Sequence, residues 1–291
     1  MDPLELVRLT PLMQRTSGSA SVSVGLIDGP VSTELPDLVQ ENIRTIPGVS
    51  GGSCVRAASA ACTHGTLVAA ILVAKRGSRA PSICPGCTLL LRPIFAESTQ
   101  EDGRMPSATP EELAKAIVET VKAGARIINL SVGLLRSKIE GDRALGQALD
   151  YAAGHRVLIL VAAGNQGTIG SSTLTRHPGV IPVAGCDPQG RPIGLSNLGS
   201  SIGRRGLSAP GTNITSLGPD GKPQRCEGTS IATPFVTGAA ALIWSEFPTA
   251  SAGLIKLAIT GGDGRQRAAI VPPLLDAWAA YQTMLSMSNG R

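Results

Sequence analysis

Two kinds of apolar run alternate along this chain. Short, nearly continuous runs at Val22 to Ile27, Thr88 to Ile94, Arg126 to Leu130, Val157 to Ala162 and Val180 to Ala184 read as strands buried on both faces. Longer segments between them have helical character. His64 to Ala74 is almost uniformly apolar, Thr109 to Ala123 is amphipathic and opens on Thr109-Pro-Glu-Glu112, and a further helix is expected over about Asp142 to Ala153. The stretch GTSIATPFVTGAAALI, Gly228 to Ile243, starts polar and turns apolar, which predicts a helix capped by Ser230 with Pro234 in its first turn. Glu41 to Ala61 reads as surface loop, Leu217 to Lys222 as the turn of a hairpin, and the tail from Ile270, including Leu274 to Trp278, as a last packing helix. Strands alternating with helices predict an α/β fold, a mostly parallel central sheet with helices on both faces. No repeat or low-complexity linker divides the chain, so an N-terminal segment over residues 1–21 and a single domain over residues 22–291 are expected.

Composition narrows this picture. Apolar residues make up 42% of the 291, yet aromatics only 2%, with 35 Gly and 21 Pro, so the interior must be built from Ala, Val, Leu and Ile joined by tight turns. The net charge of +5 is spread along the chain and lacks aromatic interleaving, which argues against a nucleic-acid partner. The N-terminus has no apolar core of signal-peptide length and the chain no span of membrane length, so no membrane association and a cytoplasmic location are expected. The six cysteines, at 54, 62, 84, 87, 186 and 226, permit disulfides, thiols or metal ligands. Cys84-Pro-Gly-Cys87 has the spacing of a redox pair or half a zinc site, but no second C-x-x-C accompanies it, so a structural role ranks first.

The candidate chemistry stands at the edges of these elements. Asp28 follows the first strand, His64 opens a helix and Ser230 opens another. Each alone has a structural reading, as turn aspartate, helix-start histidine and cap. Together they are the parts of an activated nucleophile: a hydroxyl that is weak until a base takes its proton, and an imidazole whose tautomer and charge a carboxylate fixes.

Leu26-Ile-Asp28-Gly29, His64-Gly-Thr-Leu-Val-Ala69 and Gly228-Thr-Ser230-Ile-Ala-Thr-Pro234 resemble the three signature blocks of the subtilisin-like serine proteases, in that family's order of Asp, His, Ser. Ala162-Ala163-Gly164-Asn165 resembles the family's oxyanion segment, with Asn165 as side-chain donor. Ser131-Val132-Gly133 is similar to the edge that pairs with an extended peptide. The resemblance implies a subtilisin-like fold, a serine endopeptidase acting through Asp28, His64 and Ser230, a polypeptide substrate and no required cofactor. It leaves calcium held by loop carbonyls, or structural zinc, open. By position in the family pattern, Arg176 falls where the specificity pocket is floored; it would select an acidic side chain, fill the pocket or point to solvent. Cys62 and Cys226 stand close enough in sequence to His64 and Ser230 to line the cleft, and pairing of Cys54 with Cys62 is one option among several.

Only 27 residues precede Asp28, so no signal peptide or folding prodomain is expected before it. That feature, together with Ile27-Asp28-Gly29-Pro30-Val31 and Leu91-Arg92-Pro93-Ile94-Phe95, is similar to the propeptide-free proteases of ribosomal-peptide maturation, such as the cyanobactin leader-peptide proteases. It implies a modified precursor peptide as substrate. The alternatives are a macrocyclase of the same family, a catalytically idle peptide-binding module, and a thiol or zinc protein built on Cys84 and Cys87.

Overall fold

The computed structural model of the protein describes residues 1–47, 53–95, 97, 108–131, 139–261 and 269–289. Its centre is a parallel sheet. In chain order the strands are β1 (Ser23–Asp28), β2 (Ile43–Thr45), β3 (Thr88–Pro93), β4 (Ile127–Leu130), β5 (Leu158–Ala162), β6 (Val180–Cys186) and β7 (Leu207–Pro210), lying side by side as β2-β3-β1-β4-β5-β6-β7. A separate antiparallel hairpin joins β8 (Ile214–Leu217) to β9 (Pro223–Cys226). The helices are α1 (Pro3–Leu6), α2 (Thr10–Arg15), α3 (Ala60–Val73), α4 (Pro110–Lys122), α5 (Ile139–Gly154), α6 (Thr173–Arg176), α7 (Ser200–Arg205), α8 (Thr229–Glu246), α9 (Ala252–Ile259) and α10 (Ala277–Asn289).

Successive strand residues serve opposite faces. Val24 and Leu26 of β1 join the core beneath α3 and α8, whereas Ile27 joins the core beneath α4 and α5. The first core includes the small residues Ala232, Ala239, Ala240 and Ala241 of α8 among many Val, Leu and Ile, and it also takes Val7, Leu9 and Leu12 from the N-terminal segment. Small side chains let helix and sheet approach closely, which suits a chain poor in aromatics.

Three differences from the sequence reading have physical causes. Within Glu41 to Ala61, expected as loop, Ile43–Thr45 adds an edge strand to β3; it is short and Arg44 and Thr45 are exposed, so no apolar run announces it. Helix α3 begins at Ala60, where Ser59 caps it by accepting from the Cys62 N–H at 3.1 Å, so His64 lies in the second turn and not at the mouth. Leu274 and Leu275 run beside β7, where the Leu275 N–H donates to the Ser208 carbonyl at 2.9 Å, and the last helix starts only after them.

Because all seven strands are parallel, β1, β4 and β5 end on the same edge of the sheet. From β1 the chain builds outward to β3 and β2 on one side, and from β4 outward on the other. The edge between β1 and β4 is therefore the crevice where open α/β sheets place their ligands.

Candidate active site

Asp28 is the last residue of β1, and its side chain is fully buried. Helix α3 passes over this strand end at very short range because two positions lack side chains. A Cβ on Gly65 would stand 2.5 Å from the carbonyl oxygens of Gly29 and Pro30, and one on Gly29 would collide with the Ala61 carbonyl. The approach brings His64 Nδ1 to 2.6 Å from Asp28 Oδ1, and the Gly29 N–H donates to the same oxygen at 2.6 Å. With Nδ1–H directed at a carboxylate, Nε2 is left as the free acceptor on a side chain 16% exposed. Burial pulls the His64 pKa down, but the charge of Asp28 and the hydrogen bond to it outweigh burial and raise the pKa above its ordinary value. Gly65→Ala should force α3 off β1. A loss of about 10²-fold in kcat/KM is expected, since about 1 Å of misplacement costs that much, together with a melting temperature lowered by several degrees from roughly 1–3 kcal/mol of overpacking; steady-state kinetics and a thermal melt check both.

Ser230 stands at the start of α8, but the cap is Gly228, not Ser230 as the residue pattern suggested. Gly228 has φ +126°, a conformation that strains any L side chain, so glycine displaces the usual hydroxyl cap. Ser230 becomes the second helical residue, and its hydroxyl has no hydrogen bond among the described residues. Its N–H is one of the helix-start donors without an intrahelical acceptor. Pro234 likewise sits inside the helix, beyond its first turn. Lacking an N–H, Pro234 cannot bond the Ser230 carbonyl four residues back. Ser131 supplies the missing donor: its Oγ donates to the Ser230 carbonyl at 3.2 Å and accepts from Asn129 Nδ2 at 2.9 Å. Asn129 Oδ1 in turn accepts from Thr237 Oγ1 at 2.8 Å, so a buried polar chain ties β4 to α8.

Asn165 follows β5 across the cleft from this helix tip. Its Oδ1 accepts from both the N–H and the hydroxyl of Thr229, each at 2.9 Å. Two donors fix the amide's orientation, leaving its NH₂ group directed away from Thr229. The Thr229 hydroxyl also accepts from the Gly164 N–H at 3.2 Å. Asn197 staples the rest of the loop: its Oδ1 accepts from the N–H groups of Gln166 and Thr168 at 3.0 and 3.1 Å, and its Nδ2 donates to the Ala163 carbonyl at 3.2 Å. Neither Thr229 nor Asn197 stands out in the sequence as a site residue, since only the fold brings their partners to them.

The subtilase family profile matches residues 19–260. The chain belongs to the subtilase family. Subtilisin DY from Bacillus licheniformis is 28% identical over 258 residues, 87% of each chain, and subtilisin J from Geobacillus stearothermophilus is 30% identical over 239 residues, 79% of this chain and 57% of that protein. Among solved structures, the protease domain of PatA superposes with a TM-score of 0.82 at 30% identity, covering 93% of this chain and 97% of its own. The prenylagaramide maturation protease PagA does so at 0.80 and 29%, covering 94% and 98%. This subtilase is a serine endopeptidase with the α/β fold of that family.

The remaining expected site residues of the subtilase fall into three groups. Ser131 lies at the crevice, while Val132 and Gly133 lie outside the described residues. In the segment Ala162, Ala163 and Gly164, the Ala163 N–H donates to the Val183 carbonyl and the Gly164 N–H to Thr229, while both carbonyls accept from Asn197. That backbone is already satisfied, so the segment can serve as a wall and not as a strand-adding edge. Arg176 ends α6 with an exposed side chain that makes no hydrogen bond or ion pair among the described residues, and nothing brings it to Asp28, His64 or Ser230; its backbone N–H donates to the Ser172 carbonyl at 3.0 Å and its carbonyl accepts from Arg205 at 2.8 Å.

Among the described residues, no cysteine is hydrogen-bonded to His64. Cys54 is joined by a disulfide to Cys62 in the first turn of α3. Burial pushes the Cys226 thiol up to about 12, and its Sγ donates to the Ile214 carbonyl. Cys84 and Cys87 are buried in the core before β3, at the opposite edge of the sheet from Asp28, roughly 20 Å away by strand rise. Among the described residues, no helix is long and apolar enough to cross a membrane.

Proposed function

We propose that this subtilase cleaves a precursor peptide during ribosomal-peptide maturation in the cytoplasm, with Ser230 as nucleophile, His64 as general base and Asp28 as its orienting carboxylate. The observation that carries the triad is the 2.6 Å bond between the buried Asp28 carboxylate and His64 Nδ1. It holds the imidazole in the tautomer whose Nε2 can take the Ser230 proton as Oγ attacks the scissile carbonyl. The developing oxyanion lies between the free Ser230 N–H and the NH₂ group of Asn165, with the positive end of the α8 dipole behind it. His64 then gives its proton to the leaving amine, and water enters by the reverse path to release the acyl group.

An extended substrate would pair along Ser131, Val132 and Gly133, with Ala162, Ala163 and Gly164 as the wall of the pocket for the residue before the cut. Arg176 is exposed, with a side chain unpaired among the described residues, and would meet an acidic side chain only where the bound peptide extends to α6. The precursor-peptide reading is supported by the likeness to PatA and PagA, whose names describe patellamide and prenylagaramide maturation proteases.

Two measurements test this. A fluorophosphonate probe should label the peptide containing Ser230, and His64→Ala should abolish labelling; label on any other residue removes the triad assignment. Incubation with candidate precursor peptides should give two linear products that together carry the elements of one added water. A cyclic product would reassign the enzyme to transpeptidation.

A further inference from the structure

Two residues before His64, the start of α3 carries a second chemical cluster that the proposed reaction does not use. Cys54 Sγ, Cys62 Sγ and a carboxylate oxygen of Glu97 lie within 4.8 Å of one another. Glu97 is held for this position. Its carboxylate accepts from the Arg56 N–H at 2.8 Å, the Val55 N–H at 2.9 Å and the Ser59 hydroxyl at 3.4 Å, the same Ser59 that caps α3. Among the described residues, Oε2 receives only the Val55 bond and keeps a lone pair. The Cys54 N–H donates to the Val31 carbonyl at 3.1 Å, just beyond Asp28-Gly29-Pro30. The cluster therefore clips together the segment after β1, the tip of α3 and the residues after β3.

We propose that Cys54, Cys62 and Glu97 form a binding site for a zinc-class divalent cation once the disulfide is reduced. Two molecules of a monothiol reductant deliver two electrons and two protons: the Sγ–Sγ bond breaks, each sulfur leaves as a thiol, and the reductant departs as its own disulfide. The cation then displaces both thiol protons and binds two thiolates and one carboxylate oxygen, a donor set suited to zinc, with the fourth tetrahedral position left to water. Two zinc–sulfur bonds of about 2.3 Å set the sulfurs roughly 3.8 Å apart, a spacing reached by small side-chain rotations once the covalent bond is open. The donors to Glu97 become an outer shell that orients the ligand. Metal thus replaces the covalent clip in a reducing compartment and keeps α3 anchored. The site does not depend on the proposed substrate or on the triad.

The test uses the unaltered chain. After reduction and removal of reductant, zinc should bind at about one equivalent in this cluster and slow alkylation of Cys54 by N-ethylmaleimide at least tenfold, read peptide by peptide by mass spectrometry. The oxidised chain should show no such equivalent. Glu97→Gln should weaken the protection of Cys54 by at least about 10-fold. X-ray absorption should report two sulfur neighbours and lighter ligands. The proposal is overturned if zinc leaves the Cys54 rate unchanged, if protection falls only on the Cys84 and Cys87 peptide, or if Glu97→Gln protects Cys54 as well as the unaltered chain does.

Discussion

Ser230→Ala is expected to lower kcat by about 10⁶ while leaving KM within a few-fold, a magnitude taken from the triad of subtilisin. The reason is local. In Ser230→Ala the helix tip, the cap at Gly228 and the carbonyl bond from Ser131 all persist, since none of them uses the hydroxyl. Only the nucleophile is removed, so folding and peptide binding should survive, and circular dichroism with a binding assay can verify that they do. Asn165→Ala should cost less, about 10² to 10³ in kcat, because the Ser230 N–H remains to receive the oxyanion. The order of the two losses is the discriminating result. If Ser230→Ala retains more activity than Asn165→Ala, Ser230 is not the nucleophile and the hydroxyl is an ordinary part of a helix terminus.

Much of the fold can be read along the chain because its central strands are covered on both sides. Leu158–Ala162 and Val180–Cys186 are buried almost throughout, so their runs are continuous and their ends sharp. Where an element is short or half exposed, as at Ile43–Thr45, its residues carry no pattern that separates strand from loop. The carboxyl-edge location of Asp28, Ser131 and Asn165 was also legible, since parallel strands must end together. What was not legible is how the helix tip is built. Local preference favours Ser230 as cap and Pro234 in the first turn, yet tertiary contacts override both. A Cβ at Gly228 would meet Asn165 Nδ2 at 3.0 Å, so only glycine leaves that amide its place, and Ser131 supplies the donor that Pro234 lacks. Thr229 and Asn197 stay invisible for the same reason, because a polar residue's task is set by partners far away in sequence. The Cys54 to Cys62 bond could not be deduced either, since six cysteines allow many pairings.

The carboxylate gives the second large effect, with a signature in pH as well as in rate. A general base must be unprotonated, so kcat/KM should rise with pH through the pKa of His64 in the free enzyme. That pKa is raised, because the attraction of Asp28 outweighs the burial that would lower it, so the ascending limb should lie above the ordinary histidine value of about 6.5. In Asp28→Asn the raising influences vanish and burial alone remains, so the limb should move to lower pH. The rate should nevertheless fall, by about 10⁴ in kcat, for two reasons. A neutral amide cannot stabilise the imidazolium formed in the transition state, and an NH₂ group facing Nδ1 favours the tautomer that places the proton on Nε2, where it blocks acceptance from Ser230. Activity that drops while the limb moves acid-ward separates this mechanism from simple loss of folding, which lowers amplitude at every pH without moving the limb. A limb that stays in place in Asp28→Asn would mean that the 2.6 Å contact does not govern the base, and the triad would have to be redrawn without Asp28.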